Sequence, residues 1–188
     1  MFPVTLRGVG VTLREIEERD VPLIHDYASD PEVTRYMTWG PNASLDQTAS
    51  FARGQIAAAR VEPRDAFELV VARASDDELV GRVRLTIESR VHRRADIGYV
   101  LRRSCWGNGY GTEAARMIVD FGFRRLSLHR IEATCAPENG ASVRVLEKIG
   151  MRREGYFRQH ILSHGAWRDS LLYAILADQW QGAANPGT

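Results

Sequence analysis

The stretch CWGNGYGTEAA, residues 105–115, decides how the rest of this chain is interpreted. Three glycines occupy alternate positions in it, Gly107, Gly109 and Gly111, and Thr112 and a helix-like run follow them. A glycine has no side chain, so its backbone can approach a ligand or a packed neighbour closely. The stretch therefore indicates either a ligand site or a tight turn between a strand and a helix.

Three kinds of phosphate-binding motif can be compared with these glycines. A P-loop requires a lysine after its last glycine, and none follows here. The dinucleotide fingerprint requires the spacing G-x-G-x-x-G after a parallel strand, whereas here the spacing is G-x-G-x-G and the preceding strand is predicted to be antiparallel. A pyrophosphate bound by free amides at a helix N-terminus needs no lysine and fits best, with a ligand-free tight turn as the alternative.

The segments on both sides of the glycines predict a mixed α/β (α+β) domain. Strands, with alternating or dense β-forming residues, are predicted over 11–16, 66–73, 82–88, 95–101, 130–136, 152–162 and 167–177. Helices are predicted over 21–28 after Asp20, from Asp30 onward, over 45–60, directly after the glycines, and from Asn139 to a stop at Gly150. These elements form a mostly antiparallel, twisted sheet of six to seven strands with helices on both faces. A ligand pocket is expected where the antiparallel meander changes to strand-helix-strand, over 95–136.

The composition is that of a soluble globular protein. The chain has 188 residues, 44% hydrophobic and 26% charged, which suits one domain over 1–180 and a flexible tail over 181–188. A formal net charge of +1 gives no general attraction to nucleic acid. The sequence shows no signal peptide and no run of about 18 apolar residues. We therefore expect a cytoplasmic protein without a membrane partner.

The two cysteines, Cys105 and Cys135, have neither the spacing of metal ligands nor that of a disulfide framework. We therefore expect no metal. Cys105 lies beside the glycines, but the sequence offers no His/Asn arrangement that would activate it as a nucleophile. We interpret it as a packing residue.

Residues 101–115, LRRSCWGNGYGTEAA, resemble motif A of the GNAT superfamily of acyl-CoA-dependent N-acyltransferases. That motif reads Gln/Arg-x-x-Gly-x-Gly/Ala, and Trp106, Gly109 and Gly111 take its three defining places. Trp106 departs from the usual Gln or Arg. The string WGxGYGTEA is nevertheless familiar in the RimJ/RimL-like branch, which includes ribosomal-protein N-terminal acetyltransferases.

Two further motifs follow in the order expected for that branch. NGASVRVLEKIGMRREG, residues 139–155, resembles its second motif, Asn-x-x-Ser-x-x-Val-Leu-Glu-Lys-x-Gly-Phe, with Met151 in place of the phenylalanine. GAWRDSLLYAIL, residues 165–176, resembles its closing strand. The resemblance covers residues 11–180 and implies the GNAT fold. In that fold the strand before motif A splays from its neighbour, and the splayed pair holds CoA.

The resemblance implies acetyl-CoA as the co-substrate and assigns residues to it. The backbone amides of Tyr99, Val100 and Leu101 would bind the pantetheine arm, and the Leu101 N–H would also face the thioester oxygen. Asn139 and Ser142 would lie against the same arm, although Asn139 is also explained as a helix cap alone. The pyrophosphate would be held by the glycine stretch, namely Trp106, Gly107, Asn108, Gly109, Tyr110, Gly111 and Thr112.

Catalytic roles follow from the same resemblance. Many superfamily members protonate the departing CoA thiolate with a tyrosine, but Leu146 occupies that position here. Ser142, the proposed donor in the RimJ/RimL-like branch, is therefore the predicted donor, with plain helix surface as the alternative. His160 lies one residue from the position of a family glutamate and is the candidate base, or else an ordinary surface histidine. Asp96 matches a glutamate of that branch, with a purely structural bond as the alternative. Asp169 also matches a family acid and is interpreted as structural.

The predicted reaction is direct attack of a primary amine on acetyl-CoA in a ternary complex. The expected acceptor is a protein N-terminal α-amine, and a small amine such as a polyamine, amino acid or aminocyclitol antibiotic is the alternative. A non-catalytic CoA-binding sensor is the alternative of another class. Tyr36, Met37 and Trp39 are candidates for the apolar acceptor wall, or for core. A homodimer is expected by analogy, since dimers are common among relatives.

Overall fold

The structure, a computed structural model, describes residues 1–182, which form one eight-stranded sheet with helices on both faces. The strands are β1 (Thr5–Arg7), β2 (Val11–Glu15), β3 (Ala66–Arg73), β4 (Leu79–Ser89), β5 (Arg94–Leu101), β6 (Arg130–Cys135), β7 (Arg152–Ser163) and β8 (Ala166–Leu176). The helices are α1 (Val21–Ala28), α2 (Pro31–Thr34), α3 (Leu45–Ala58), α4 (Tyr110–Arg124) and α5 (Gly140–Lys148). Residues 183–188, most of the predicted tail, lie outside the described residues.

The predicted fold class is confirmed. The strands lie in the order β1-β2-β3-β4-β5-β6-β8-β7, and every neighbouring pair is antiparallel except β5–β6. The sheet has one more strand than the sequence predicted. The additional strand is β1, whose three residues are too few to show an alternating pattern.

Helices cover the two faces of the sheet with separate apolar clusters. On one face, α4 presents the stripe that its sequence predicted, and Ala114, Ala115, Ile118 and Val119 are fully buried against the strands. On the other face α1, α2 and α3 pack over β3, β4 and β5, with Ala52 of α3 fully buried. The removal of these apolar faces from water holds the layers together, at about 25 cal/mol per Å² of buried surface.

Helix caps follow the sequence at two of three predicted positions. Asp30 accepts the N–H of Glu32 at 2.8 Å, and Asn139 caps α5 as predicted. Asp20 precedes α1, but its side chain does not cap that helix. Both of its carboxylate oxygens instead accept hydrogen bonds from the Arg14 guanidinium, each at 2.8 Å. A bidentate charged pair is stronger than a neutral cap, which explains the difference.

The parallel strands β5 and β6 pair only where both begin. Their ladder joins residues 94–96 to residues 130–132. Beyond that point β6 continues beside β8 alone, while β5 continues beside β4. A wedge-shaped gap therefore opens between the carboxyl ends of β5 and β6, which is the splayed pair that the sequence predicted.

Hydrogen bonding to β4 determines which amides of β5 face this gap. The N–H of Arg102 donates to the carbonyl of Val80 in β4 at 2.9 Å. Because successive residues of a strand point their N–H groups to opposite sides, that of Val100 also faces β4. The N–H groups of Tyr99 and Leu101 face the gap, where no strand pairs with them. The Val100 amide, predicted as a gap donor, is therefore directed into the sheet.

Gly81 of β4 packs tightly against the end of β5 that borders the gap, so its substitution is a test of this arrangement. A Cβ added at Gly81 would overlap the carbonyl oxygen of Val100, a backbone atom that cannot rotate away. We expect Gly81→Ala to lower the free energy of unfolding by about 1–3 kcal/mol, measured in urea.

Gly54→Ala is the matched control for this substitution. Gly54 is exposed on α3, and an added Cβ would have no heavy atom within 4 Å. The alanine should raise the free energy of unfolding by about 0.5–1 kcal/mol through helix propensity. An increase in the free energy of unfolding in both Gly81→Ala and Gly54→Ala would contradict the close approach of β4 and β5.

Candidate active site

A cavity of about 780 Å³ lies at the gap between β5 and β6, a size typical of small-molecule sites. The predicted residues that line it are Tyr36, Met37, Trp39, Tyr99, Val100, Leu101, Trp106, Gly107, Gly109, Gly111, Thr112, Asn139 and Ser142. Three predicted site residues do not line it, namely Asn108, Tyr110 and His160. The structure thus brings the glycine stretch, the helix α5 and the candidate acceptor wall together around one space.

The glycine stretch forms a turn that leaves a helix N-terminus open to the cavity. Gly107 and Gly109 have φ angles of 81° and 83°, a region that favours glycine, and a Cβ at either would have no heavy atom within 4 Å. The first helical bond of α4 runs from the N–H of Glu113 to the carbonyl of Gly109 at 3.0 Å. The three preceding amides have no helical partner and carry the positive end of the helix dipole, which suits an anion.

Two polar side chains brace this turn from within. The indole N–H of Trp106 donates to the Leu101 carbonyl at 3.0 Å. The side-chain amide of Asn108 donates to the carbonyls of Cys105 and Trp106 at 3.3 and 3.2 Å. Tyr110 packs against the core under α4. The Asn108 side chain therefore supports the turn, and the Tyr110 side chain packs against the core.

Ser142 is held at the cavity by two neighbours. The side-chain oxygen of Asn139 accepts the N–H of Ser142 at 3.1 Å, which caps α5. The Tyr99 hydroxyl lies 2.9 Å from the Ser142 hydroxyl, and either group can donate. Burial raises the pKa of Tyr99, so its hydroxyl keeps its proton at neutral pH. The protonated Tyr99 hydroxyl can therefore donate a hydrogen bond to the Ser142 hydroxyl or accept one from it.

The cysteines at the cavity wall fit packing roles. Cys105 is half-buried and packs against the main core. Cys135 is buried, and its burial raises the pKa of its thiol, which keeps it in the unreactive protonated form. Cys135 therefore lacks the lowered pKa of an activated nucleophile.

His160 lies outside this cavity. Pairing of β7 with β8 is interrupted between Phe157 and Ile161, and the resulting bulge leaves His160 exposed with its ring 4.8 Å from that of Phe157. It lines a separate open recess with Gln159 and Asp169, whose carboxylate accepts the Gln159 N–H at 2.7 Å. His160, the predicted base, therefore does not border the cavity that Ser142 lines.

Asp96, which matches a family glutamate and for which a purely structural bond was the alternative, lines the cavity. Burial raises the pKa of its carboxyl to about 6, and Glu88 and Glu132 add to the increase, whereas the bound Arg84 guanidinium opposes it. A carboxylate with a pKa near the working pH can exchange protons during a reaction. The only sequence signal was its alignment with a family acid, which did not specify a role.

The acceptor side of the cavity also contains residues that the sequence analysis missed. Arg82 and Glu68 form a buried ion pair at 3.0 Å. The Arg82 guanidinium carbon lies 4.4 Å from the ring centre of Phe51 and 5.3 Å from that of Trp39. Arg82 and Arg84 alternate with apolar residues along β4, a pattern that ordinarily indicates a solvated face.

Two further features of residues 1–182 can be stated. No helix in this range is long and apolar enough to cross a membrane. The same residues contain no group of three or more His, Cys, Asp or Glu side chains arranged to hold a metal ion.

The sequence is similar to those of known acetyltransferases. The acetyltransferase (GNAT) domain family matches residues 11–152 of this chain. The uncharacterized N-acetyltransferase YnaD of Bacillus subtilis (strain 168) is 36% identical over 168 residues, which are 89% of this chain and 94% of that protein.

The fold is similar to those of two solved acetyltransferase structures with CoA. Mycobacterium smegmatis RimJ in complex with CoA-disulfide has a TM-score of 0.84 and 32% identity, with 97% of this chain and 90% of that chain covered. Vibrio cholerae spermidine N-acetyltransferase in complex with CoA and spermine has a TM-score of 0.78 and 25% identity, with 90% and 97% covered. Both structures share the fold of this chain, and the name of the second states its acceptor, spermidine.

Asn139 provides a test of the local geometry around Ser142. Asn139→Ala removes the oxygen that caps α5 and should lower the free energy of unfolding by about 1 kcal/mol. Asn139→Asp keeps an oxygen acceptor at the positive end of the helix and should retain the stability of the wild type. Urea unfolding of the three proteins measures the difference. Equal loss in the alanine and aspartate variants would contradict a capping role.

Proposed function

The chain belongs to the GNAT family of N-acetyltransferases, and we propose that it is a RimJ/RimL-like enzyme that acetylates a protein N-terminal α-amine from acetyl-CoA. The observation that carries this proposal is the gap between β5 and β6. Its unpaired amides, the open N-terminus of α4, Ser142 and an apolar acceptor wall border one cavity. The resemblance of the glycine stretch and of residues 139–155 to that branch supports the choice of acceptor.

The residues at the gap suit acetyl-CoA, which supplies an acetyl group activated as a thioester. Tyr99 and Leu101 offer backbone N–H groups to the amide carbonyls of a pantetheine arm. The N-terminus of α4 offers amides to the pyrophosphate, and the absence of side chains at Gly107 and Gly109 leaves the approach open. Several amides can share the anion, so no lysine is required there.

The Leu101 N–H is the proposed donor to the thioester oxygen. It is fixed by the β4–β5 ladder and by the bond from Trp106 to the Leu101 carbonyl. A donor that is already oriented before the reaction stabilises the negative charge that develops on this oxygen. One such donor contributes roughly 3–4 kcal/mol to the barrier reduction.

Asp96 is the proposed proton acceptor, in place of His160. An α-amine has a pKa near 8, so about a tenth of it is already neutral at pH 7 and only a weak base is needed. The Asp96 carboxyl, with its pKa raised to about 6, is mostly ionised at neutral pH and borders the same cavity. It can therefore take the proton that the attacking nitrogen releases, directly or through a water.

Ser142 is the proposed proton donor to the departing thiolate. Its hydroxyl borders the cavity and is oriented by the Asn139 cap and by the Tyr99 hydroxyl at 2.9 Å. The position at which many relatives carry a tyrosine is Leu146, which is fully buried in the core. Ser142, whose hydroxyl is hydrogen-bonded to that of Tyr99, is thus the hydroxyl that we assign to this step.

A small-molecule amine, including a polyamine, is the second candidate acceptor. The observation that favours it is the similarity to the Vibrio cholerae enzyme, whose structure contains spermine. A non-catalytic CoA-binding sensor is the alternative of another class, since cofactor residues alone do not require turnover. The cytoplasmic location and the homodimer stay predictions.

Ser142→Ala tests whether the site is catalytic. The variant should lose about 10²-fold or more in kcat, because it lacks the proton donor to the thiolate. Acetyl-CoA binding should be retained, so a hundredfold excess over the dissociation constant should stabilise both proteins by about 2.7 kcal/mol in thermal unfolding. Release of CoA thiol, with N-terminal peptides and small amines as acceptors, measures the rate.

Ser50→Ala, on the exposed surface of α3, is the matched control and should leave both measurements unchanged. A sensor would show the same stabilisation without turnover in any of the three proteins. Absence of stabilisation by acetyl-CoA, propionyl-CoA and CoA alike would reject the cofactor assignment. Turnover with small amines only would reject the protein N-terminus as acceptor.

Asp96→Asn tests the proposed proton acceptor through pH. Only a neutral amine attacks, and only the ionised carboxylate accepts a proton. For an α-amine acceptor, kcat/KM of the wild type should therefore fall about tenfold per pH unit below pH 8 and about a hundredfold per pH unit below pH 6. The variant should be slower at pH 7 and should lack the additional acidic limb below pH 6, keeping only the about tenfold slope that the amine causes. Rates between pH 5 and 8, with one acceptor, measure the profile.

Stability provides a check on the same variant. The pKa of the Asp96 carboxyl is higher in the folded protein than in the unfolded chain. Ionisation of this carboxyl therefore lowers the free energy of unfolding as the pH rises through about 6. The free energy of unfolding of Asp96→Asn, relative to that of the wild type, should therefore be higher at pH 7 than at pH 4. Asp169→Asn, in the separate recess, is the control and should keep the acidic limb. An unchanged limb in Asp96→Asn would exclude Asp96 as the acceptor.

A further inference from the structure

We infer that Arg84 and Glu132 are positioning residues that act on the reaction through Asp96. The Arg84 guanidinium favours the ionised Asp96 carboxylate, and the Glu132 carboxylate opposes it. Arg84 lines the cavity and Glu132 does not. The inference rests on the proposed function for the role of Asp96 as proton acceptor, and it adds the two charges that determine the pH range in which Asp96 can accept.

Asp96 and Glu132 form the last rung of the short ladder between β5 and β6. They lie directly opposite each other in this parallel pair, and the two strands separate beyond them. Side chains that lie opposite on neighbouring strands share one face of the sheet, so the two carboxyl groups are neighbours. Like charges in such a place repel, and the charge on Glu132 therefore makes ionisation of Asp96 less favourable.

The two carboxylates have different arginine partners. The Nε of Arg130 donates to Glu132 at 2.6 Å, and the Nε of Arg94 lies 4.0 Å from the other oxygen of Glu132. Within residues 1–182, Arg84 is the one ion-pair partner of Asp96. The Asp96 and Glu132 side chains are exposed to a similar extent, 23% and 21%, so their ion pairs distinguish them. Ionisation of Asp96 therefore depends on a single guanidinium.

Arg84 reaches Asp96 by crossing Gly98. Arg84 lies opposite Gly98 in the β4–β5 ladder, and Asp96 lies opposite Thr86. The Arg84 guanidinium donates to the Asp96 carboxylate and, at 3.3 Å, to the Thr86 hydroxyl. A Cβ added at Gly98 would lie 3.5 Å from Nη2 and 3.7 Å from Nε of Arg84. The absence of a side chain at Gly98 therefore leaves the path of the guanidinium open.

Charges on both neighbouring strands act on the Asp96 carboxyl. Burial is the largest cause of its raised pKa of about 6. From β4, Arg84 lowers this pKa and Glu88 raises it, and from β6 Glu132 raises it. Removal of Arg84 and removal of Glu132 should therefore change the same pKa in opposite directions.

Titration of the Asp96 carboxyl carbon by NMR, in isotopically labelled protein without ligands, tests the inference directly. Comparison with Asp96→Asn, which lacks this carboxyl, identifies the resonance. Arg84→Gln should raise the pKa from about 6 to about 7 or higher, since an opposite charge at ion-pair distance lowers a carboxyl pKa by roughly 1 to 3. Glu132→Gln removes a like charge and should lower the pKa below 6.

The opposite directions separate this effect from a loss of structure. A carboxyl in an unfolded chain has a pKa of about 3.9, so local unfolding would lower the value in both variants. Arg84→Lys keeps the positive charge and should stay closer to the wild type than Arg84→Gln. The matched controls are Arg125→Gln and Glu18→Gln, which each remove one charge from an exposed residue that does not line the cavity. Both should leave the pKa of Asp96 unchanged.

The pH dependence of transfer should follow the same order. The break that kcat/KM of the wild type shows near pH 6 should move to about pH 7 in Arg84→Gln and below pH 6 in Glu132→Gln. At pH 6 the ionised fraction of Asp96 in Arg84→Gln should fall about fivefold, from about a half to about a tenth. The loss of rate in Arg84→Gln should therefore be larger at pH 6 than at pH 8, which a purely structural defect would not produce.

A pKa of Asp96 that stays near 6 in both Arg84→Gln and Glu132→Gln would overturn the inference, as would a change in the same direction in both. The titration needs no substrate, so this result is independent of the reaction. Opposite changes of the pKa with an unmoved break in kcat/KM would instead reject the proposed role of Asp96 as proton acceptor.

Discussion

The short ladder between β5 and β6 is the constraint on which the rest of the site depends. The two strands pair over residues 94–96 and 130–132 and then separate. Backbone N–H groups are strong donors that a folded protein almost always satisfies. By separating, the strands leave those of Tyr99 and Leu101 facing a cavity instead of a neighbouring strand. We propose that the carbonyl oxygens of the cofactor accept hydrogen bonds from these two amides, as a further strand would.

The two sides of the cavity are built by different means. The proposed cofactor side consists mainly of backbone, namely the amides of β5 and the first turn of α4 after Gly109. The acceptor side consists of side chains, including Arg82 and Arg168. Differences in those side chains can change the acceptor while the fold and the cofactor stay the same.

Local features of the site were predictable from sequence, whereas features that depend on distant pairing were not. The glycine turn and the Asn139 cap involve residues a few positions apart, and the structure shows both. His160 was named as the candidate base from its place in the sequence, whereas its position in space depends on a bulge in β7, set by pairing with β8, and lies outside the cavity. Arg82 was missed because its alternation with apolar residues resembles that of a solvated strand, until α3 covers it.

Hydrogen exchange of individual amides, followed by NMR with and without acetyl-CoA, tests the central claim most directly. The account predicts slower exchange at Tyr99, at Leu101 and over residues 107–112, because these amides become hydrogen-bonded to the cofactor. Residues 156–160, in the separate recess, should exchange at the same rate in both samples. Unchanged exchange at Tyr99 and Leu101 in protein saturated with acetyl-CoA would contradict the account.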